Sequence, residues 1–116
     1  MFKSLLNWLK PIPVEIISVQ TLKTKLDSQD DLVIIDVRSK DEFRQGHIKG
    51  AKSIPLPDLD NQLDTLPKDR PIAFVCLSGF RSQKATKQVL RRGFEHVSNV
   101  SGGMRSWNQA GYPIKK

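Results

Sequence analysis

The chain has 116 residues, 38% of them hydrophobic and 27% charged, enough for one domain with a hydrophobic core. Its single cysteine, Cys76, excludes an internal disulfide and favours a reducing compartment, the cytoplasm. Residues 81–116 carry eight basic residues and one acidic residue, which accounts for the whole net charge of +7. This excess indicates either steering of anionic substrates or acidic partners, or a solvated helix face. Nucleic-acid binding is the weaker interpretation, because no aromatic residues interleave the helical cluster of Lys84, Lys87 and Arg91 and no known binding module appears.

The first predicted unit is an amphipathic extension and linker over residues 1–13. Apolar residues at positions 2, 5, 6 and 9 fit one face of a helix, and Pro11 and Pro13 end it. The segment is too short to span a membrane and lacks the apolar run and cleavage site of a signal peptide. We expect it to pack on the domain or on a partner. Residues 14–116 are predicted to form the folded domain, and nothing in the sequence indicates an oligomeric state.

Short strands and helices alternate through this second unit. The first half of the unit is predicted to contain a strand at 14–17, a helix from the Ser18 N-cap to near Asp27, and a strand at 32–37. A helix that a capping box opens at 39–42 and that ends near Gly46 follows, and then come a strand at 51–54 and an amphipathic helix at 58–66. The second half is predicted to contain a strand at 71–75, a helix at 82–92 closed by Gly93, a strand at 97–100, and a last helix after Gly102-Gly103 that carries Trp107. This alternation is typical of an α/β sandwich around a mainly parallel sheet.

Cys76 stands at the most informative point of the chain, between an apolar strand and a long helical pattern. A thiol placed there meets loop N–H groups and a helix N-terminus, and both favour the reactive thiolate. Gly79 allows a tight turn, and Arg81 supplies a guanidinium that would hold an oxyanion or tie down the loop. The alternative is an inert cysteine that packs as a small hydrophobe.

Four further residues are predicted to support this site. Asp36 and Arg38 follow the second strand, and the carboxyl ends of parallel strands share one rim. Asp36 would either bind the active-site loop or cap the end of its own strand. Arg38 and Glu42 are expected to pair with each other. His47 is expected to be structural, with a role as general base as the alternative. Trp107 is expected to belong to the core.

Three ordered motifs carry a resemblance to a known family. The first is Ile35-Asp36-Val37-Arg38 with Glu42-Phe43, Gly46-His47-Ile48-Lys49-Gly50-Ala51 and Ile54-Pro55. The second is Cys76-Leu77-Ser78-Gly79-Phe80-Arg81-Ser82, and the third is Gly102-Gly103-Met104 with Trp107, Ala110-Gly111 and Pro113. Together they resemble the rhodanese-homology family of sulfurtransferases over about residues 14–114, so that residues 1–13 lie outside the resemblance.

The resemblance implies a rhodanese-like three-layer sandwich, with helices on both faces of the sheet, and an enzyme of the thiosulfate sulfurtransferase type. Cys76 would be the catalytic residue and would carry sulfur as a persulfide. The implied substrate-binding loop consists of Leu77, Ser78, Gly79, Phe80, Arg81 and Ser82. Neither a metal nor an organic cofactor is implied. The implied partners are a small sulfur-containing anion or persulfide as donor, and cyanide, a thiol or a protein as acceptor.

Two other functions stay open at this point. A rhodanese-type module without activity would use the same loop to bind a partner's anionic group, although such modules often lose the thiol. The related phosphatases and arsenate reductases use a loop that is one residue longer than the six residues found here. A phosphatase would also need a general acid near the leaving group. The loop length therefore favours sulfur transfer.

Overall fold

A five-stranded parallel sheet forms the middle layer of the fold in the computed structural model, which describes residues 13–116. The strands are β1 (Glu15–Ile17), β2 (Val33–Asp36), β3 (Lys52–Ser53), β4 (Ile72–Val75) and β5 (Val97–Val100). Their order in the sheet is β1-β5-β4-β2-β3, with every pairing parallel. β4 is therefore the central strand, which agrees with its four fully buried residues.

Helices cover both faces of the sheet. They are α1 (Val19–Asp27), α2 (Lys40–Gln45), a 3-10 helix (Leu56–Thr65), α3 (Phe80–Leu90) and α4 (Gly103–Gln109). Ile72 and Phe74 of β4 point into one hydrophobic cluster, with α3 and the 3-10 helix. Ala73 and Val75 point into the other, with α1 and α4. The predicted three-layer α/β sandwich is thus confirmed, with a separate hydrophobic core on each side of the sheet.

The local capping signals are confirmed by the structure. The Ser18 hydroxyl accepts a hydrogen bond from the Thr21 N–H at 3.0 Å and begins α1. Ser39 and Glu42 form the predicted capping box, in which each side chain accepts from the backbone N–H of the other at 3.1 Å. These side-chain bonds satisfy N–H groups that have no partner within the helix.

The strands predicted at 14–17, 32–37 and 71–75 are each one residue shorter at one or both ends, and three other predicted elements also differ from the observed ones. The segment predicted as a helix over 58–66 is a 3-10 helix over Leu56–Thr65. The leucines that pack on the core here are three positions apart, 56 and 59 near the start of the helix and 63 and 66 at its end. This spacing places them on one side of a helix with three residues per turn. The strand predicted at 51–54 is only Lys52–Ser53, on the edge of the sheet. The helix predicted at 82–92 is α3, Phe80–Leu90, so it begins and ends two residues earlier.

The C-terminal end of α3 nevertheless uses the predicted glycine. Gly93 has φ +92°, a left-handed conformation that favours glycine. The N–H of the next residue, Phe94, reaches back to the Val89 carbonyl at 3.2 Å. This long-range bond is typical of a helix closed by a glycine just past its end.

The amphipathic extension predicted for residues 1–13 lies outside the described residues, apart from its last residue, so its boundary stays a prediction. Within residues 13–116, none of the helices combines the length and the apolar character needed to cross a bilayer.

Candidate active site

The carboxyl ends of β2, β4 and β5 meet at one rim, as the strand pattern predicted. Asp36, the last residue of β2, is in register with Val75, the last residue of β4. Cys76 follows immediately, so its thiol lies at the centre of this rim, between the ends of the two flanking strands.

The loop after Cys76 is held with its carbonyl groups turned towards α4. The N–H of Met104 donates to the Cys76 carbonyl at 2.8 Å, and the N–H of Arg105 donates to the Leu77 carbonyl at 2.9 Å. Both donors belong to the first turn of α4, whose N–H groups have no partner within that helix. With these carbonyls engaged by α4, N–H groups of the loop remain free to face the sulfur.

Gly79 completes the turn and begins α3. Its φ is +108°, which favours glycine, and it has no side chain that could cap the helix. The Gly79 N–H donates to Cys76 Sγ at 3.1 Å. Ser82, predicted to be the first helical residue, lies within the first turn of α3 instead, and its Oγ is 3.3 Å from Sγ.

These contacts favour the charged form of the Cys76 thiol, whose residue is only 1% exposed. Burial raises the pKa of the thiol, because it disfavours the charged form. Hydrogen bonds from the Ser82 hydroxyl and from the N–H groups of Ser82, Gly79 and Ser78 outweigh that effect, so the pKa lies below its ordinary value of 9.0. A thiol pKa below the ordinary value is typical of an activated cysteine, whereas an inert core cysteine has a raised one.

Asn99 of β5 also belongs to the site, and the sequence analysis missed it. Its Oδ1 accepts from the Ser82 hydroxyl at 2.5 Å, and its Nδ2 donates to the Gly79 carbonyl at 3.2 Å. The residue is 5% exposed. The available signal was a pair of polar residues, Ser98 and Asn99, inside a strand that is otherwise valine. Because the oxygen and the nitrogen of this buried amide each have a hydrogen-bond partner in the loop or in Ser82, Asn99 is a specific part of the site.

Arg81 pairs with Glu42, which corrects the predicted pairing of Glu42 with Arg38. The two guanidinium nitrogens Nη1 and Nη2 donate to Oε1 and Oε2 of Glu42 at 2.7 and 2.9 Å. The hydrogen bond from Arg81 lowers the pKa of Glu42 from 4.5 to about 2, against a smaller opposing effect of burial. The pKa of Arg81 is raised by the same bond. Arg81 therefore ties α3 to α2.

Arg38 pairs with Asp36 at the end of β2. Its Nε and Nη2 reach the carboxylate at 2.8–3.1 Å, and Nη2 also donates to the Gly46 carbonyl at 2.8 Å. The backbone N–H of Arg38 donates to Asp36 as well, at 3.1 Å, which is the strand-end cap that was one of the two expected roles of Asp36. Both side chains are buried, so each charge depends on the other.

His47 and Trp107 have structural environments. The His47 ring stacks on Phe43 with centroids 3.7 Å apart, and its Nδ1 lies 2.8 Å from the Phe43 carbonyl. Trp107 is 1% exposed, and its indole N–H donates to the Pro113 carbonyl at 2.9 Å. Trp107 therefore belongs to the core, as expected, whereas the structural role of His47 stays a prediction.

The entrance to the thiol is apolar. Leu77, which follows Cys76 directly, is 39% exposed, and Phe80, the first residue of α3, is 75% exposed. Within the part of the chain that the structure describes, no three His, Cys, Asp or Glu residues are grouped so that they would hold a metal ion.

Known proteins resemble this chain in sequence and in fold. The chain is 38% identical over 91 residues to YrkF of Bacillus subtilis, a match that covers 78% of this chain but only 49% of YrkF, so that it spans about half of that relative. It is 32% identical over 98 residues to a sulfurtransferase of Allochromatium vinosum, covering 84% of this chain and 92% of that protein. The crystal structure of a rhodanese-like domain protein from Staphylococcus aureus superposes with a TM-score of 0.80 at 33% identity, covering 89% and 100% of the two chains. A family model described as the rhodanese-like domain matches residues 18–110. With this fold and this match, the chain belongs to the rhodanese-like domain family.

Proposed function

We propose that this chain is a sulfurtransferase that carries sulfane sulfur as a persulfide on Cys76. The observation that carries the proposal is the environment of the sulfur: Sγ accepts the Gly79 N–H inside a loop whose carbonyls are held away by α4. Such a loop stabilises negative charge on sulfur without a positively charged side chain in direct contact with it. The sulfurtransferase name of the Allochromatium vinosum relative supports the same activity.

The proposed reaction has two steps, written here for thiosulfate and cyanide. The Cys76 thiolate attacks the outer sulfur of thiosulfate, forms a new S–S bond, and releases sulfite with the electron pair of the broken S–S bond. The negative charge now resides on the outer sulfur of the persulfide. Cyanide attacks that sulfur in the second step, and thiocyanate leaves while the S–S bond electrons return to Cys76 as thiolate. No net oxidation or reduction of the protein occurs over the cycle.

Three features favour sulfur transfer over phosphoryl transfer. The enclosed thiol suits a donor that presents a single terminal atom, such as sulfane sulfur, better than a tetrahedral phosphate. Arg81, which a phosphate would need as a ligand, already donates to both oxygens of Glu42. The hydrogen-bond partners of Sγ are a backbone N–H and a hydroxyl, neither of which is a general acid for an ester leaving group.

The donor and acceptor are proposed by class. The apolar residues Leu77 and Phe80 at the entrance would contact an organic persulfide or a protein acceptor, and the basic residues of α3 would attract an anionic donor. A thiol acceptor also implies a reducing compartment, and we infer the cytoplasm.

Intact-mass measurement tests the proposal. Wild-type protein treated with thiosulfate is expected to gain one sulfur atom and to lose it to cyanide as thiocyanate, whereas Cys76→Ser, which keeps the loop, gains nothing. The experiment is repeated with glutathione persulfide to separate an unsuitable donor from an inactive site. A wild-type protein that takes up no sulfur from either donor would refute the proposal and leave a binding module as the function. Appreciable turnover of a phosphate ester would refute the argument from the enclosed thiol.

A further inference from the structure

The Ser82 hydroxyl lies between two groups that compete for its single proton. Its Oγ is 2.5 Å from Oδ1 of Asn99 and 3.3 Å from Sγ of Cys76. A serine hydroxyl has one hydrogen to donate and lone pairs to accept with. It can therefore donate to the amide oxygen or to the sulfur, but not to both at once.

The backbone determines which side of the Asn99 amide faces Ser82. The other side of the amide lies 3.2 Å from the Gly79 carbonyl, which can only accept, so the nitrogen must point there. The oxygen then faces Ser82. Asn99 is also fixed on β5, paired in register with Phe74 of β4 on one side and with Ile16 of β1 on the other. The acceptor offered to Ser82 is thus held in place from three directions.

We propose that Asn99 is a positioning residue that acts on Cys76 through the proton of Ser82, an inference that rests on the proposed function. While sulfur is a thiol, its S–H donates to Ser82 Oγ, and Ser82 donates to Asn99. When the thiol ionises, the Ser82 hydrogen turns to Sγ, and the buried Oδ1 of Asn99 loses its partner.

Formation of the persulfide reverses this change. The negative charge moves from Sγ to the outer sulfur, so Sγ no longer needs the Ser82 hydrogen, and Ser82 donates to Asn99 again. Asn99 therefore disfavours the thiolate relative to both the thiol and the persulfide. A thiolate that is less stabilised is a stronger nucleophile, and its conversion to persulfide is more favourable.

Other charged groups lie near this network and are the same in every variant proposed below. Arg81 on α3 is paired with Glu42 on α2. Asp36 on β2 is paired with Arg38, and α4 contributes the exposed Arg105. Their effects on the thiol therefore cancel when variants are compared.

A double-mutant cycle on the thiol pKa tests the inference. The variants are Asn99→Leu, Ser82→Ala and the double variant, and the readout is the pH profile of alkylation of Cys76 by iodoacetamide in the absence of any sulfur donor. Asn99→Leu alone is expected to lower the thiol pKa by about half to one unit, because Ser82 then donates to the thiolate without competition. In the Ser82→Ala background, Asn99→Leu is expected to leave the thiol pKa unchanged or to raise it. The reason is that this variant then loses only the hydrogen bond from Asn99 to the Gly79 carbonyl, which orients the loop.

If Asn99→Leu shifted the thiol pKa equally in the wild-type and the Ser82→Ala backgrounds, the inference would be overturned. Asn99 would then act on the thiol only through the loop and not through the Ser82 proton. Asn99→Val, which suits a central strand, replaces Asn99→Leu if urea unfolding shows that the latter does not fold. The cycle needs no turnover, so it is independent of the proposed function. Coupling without sulfur uptake would refute sulfur transfer alone, and sulfur uptake without coupling would refute the role of Asn99 alone.

Discussion

Gly103 is the position where one added methyl group is expected to damage both the fold and the site. Its φ is +51°, and a methyl group built there would lie 2.8 Å from the carbonyl carbon and oxygen of Leu77 and closer still to the Cys76 carbonyl oxygen. Those atoms cannot yield easily, because they are bonded to the N–H groups of Met104 and Arg105. A left-handed alanine costs about 1–2 kcal/mol, and overpacking adds about 1–3 kcal/mol. Gly103→Ala should therefore lower the free energy of unfolding by about 2–5 kcal/mol, a large part of a typical total of about 5–15 kcal/mol.

Gly111→Ala is the matched control for this substitution. Gly111 also has a left-handed conformation, with φ +75°, but nothing lies within 4 Å of a methyl group built there. Gly111→Ala should therefore lower the free energy of unfolding only by the cost of a left-handed alanine, about 1–2 kcal/mol. Urea unfolding measures both values, and the alkylation rate of Cys76 should change only in Gly103→Ala. Equal costs for the two variants would refute the argument that α4 packs against the active-site loop too closely for a side chain.

Three further predictions concern the supporting residues. Glu42→Gln should cost about 1 kcal/mol at neutral pH, because its pair with Arg81 is partly exposed. The pKa of Glu42 is lowered from 4.5 to about 2, so this stabilisation is present above pH 4.5 and is lost towards pH 2. In urea titrations, the free energies of unfolding of variant and wild type should therefore converge as the pH falls through this window. A difference that stays constant with pH would contradict the ion pair as its source. Arg38→Met should lower the free energy of unfolding by about 3–5 kcal/mol, because it leaves the buried Asp36 unpaired. Adding Asp36→Leu should restore part of that stability in the same urea assay. A double variant less stable than Arg38→Met alone would contradict the pairing. Phe80→Ala should change stability by less than about 0.5 kcal/mol but slow sulfur transfer from glutathione persulfide more than from thiosulfate, and equal kinetic effects would argue against donor contact at the entrance.

The features that the sequence predicts well are those whose partners are close along the chain. Continuous β-branched segments predict buried parallel strands, and the capping bonds of Ser18 and Ser39 join residues three apart. The thiol at the end of β4 is predictable for the same reason, because the apolar strand, the loop and the helix follow one another directly.

The pairings that cross the fold are not predictable in this way. The sequence offers Glu42 several arginines as partners, and only the folded positions of α2 and α3 select Arg81, 39 residues away. The sequence predicts Ser82 only as the last residue of the loop and the first of a helix, yet its hydroxyl contacts both Cys76 and Asn99, the latter 17 residues further on. Local pattern cannot show which distant polar group a side chain will meet, because sheet register decides it.

The contacts between α4 and the loop have a consequence for the synthesis of the protein. The loop around Cys76 takes its orientation from N–H groups of Met104 and Arg105, which the ribosome adds nearly thirty residues after the thiol. Within residues 13–116, β1 likewise pairs only with β5. While the chain is still growing, we expect Cys76 to be an ordinary thiol on an incomplete sheet, because the hydrogen bonds from α4 that orient its loop do not yet exist. We expect the reactivity proposed for Cys76 to appear only when α4 docks, so that the chemistry and the folded rim of the sheet form in the same event.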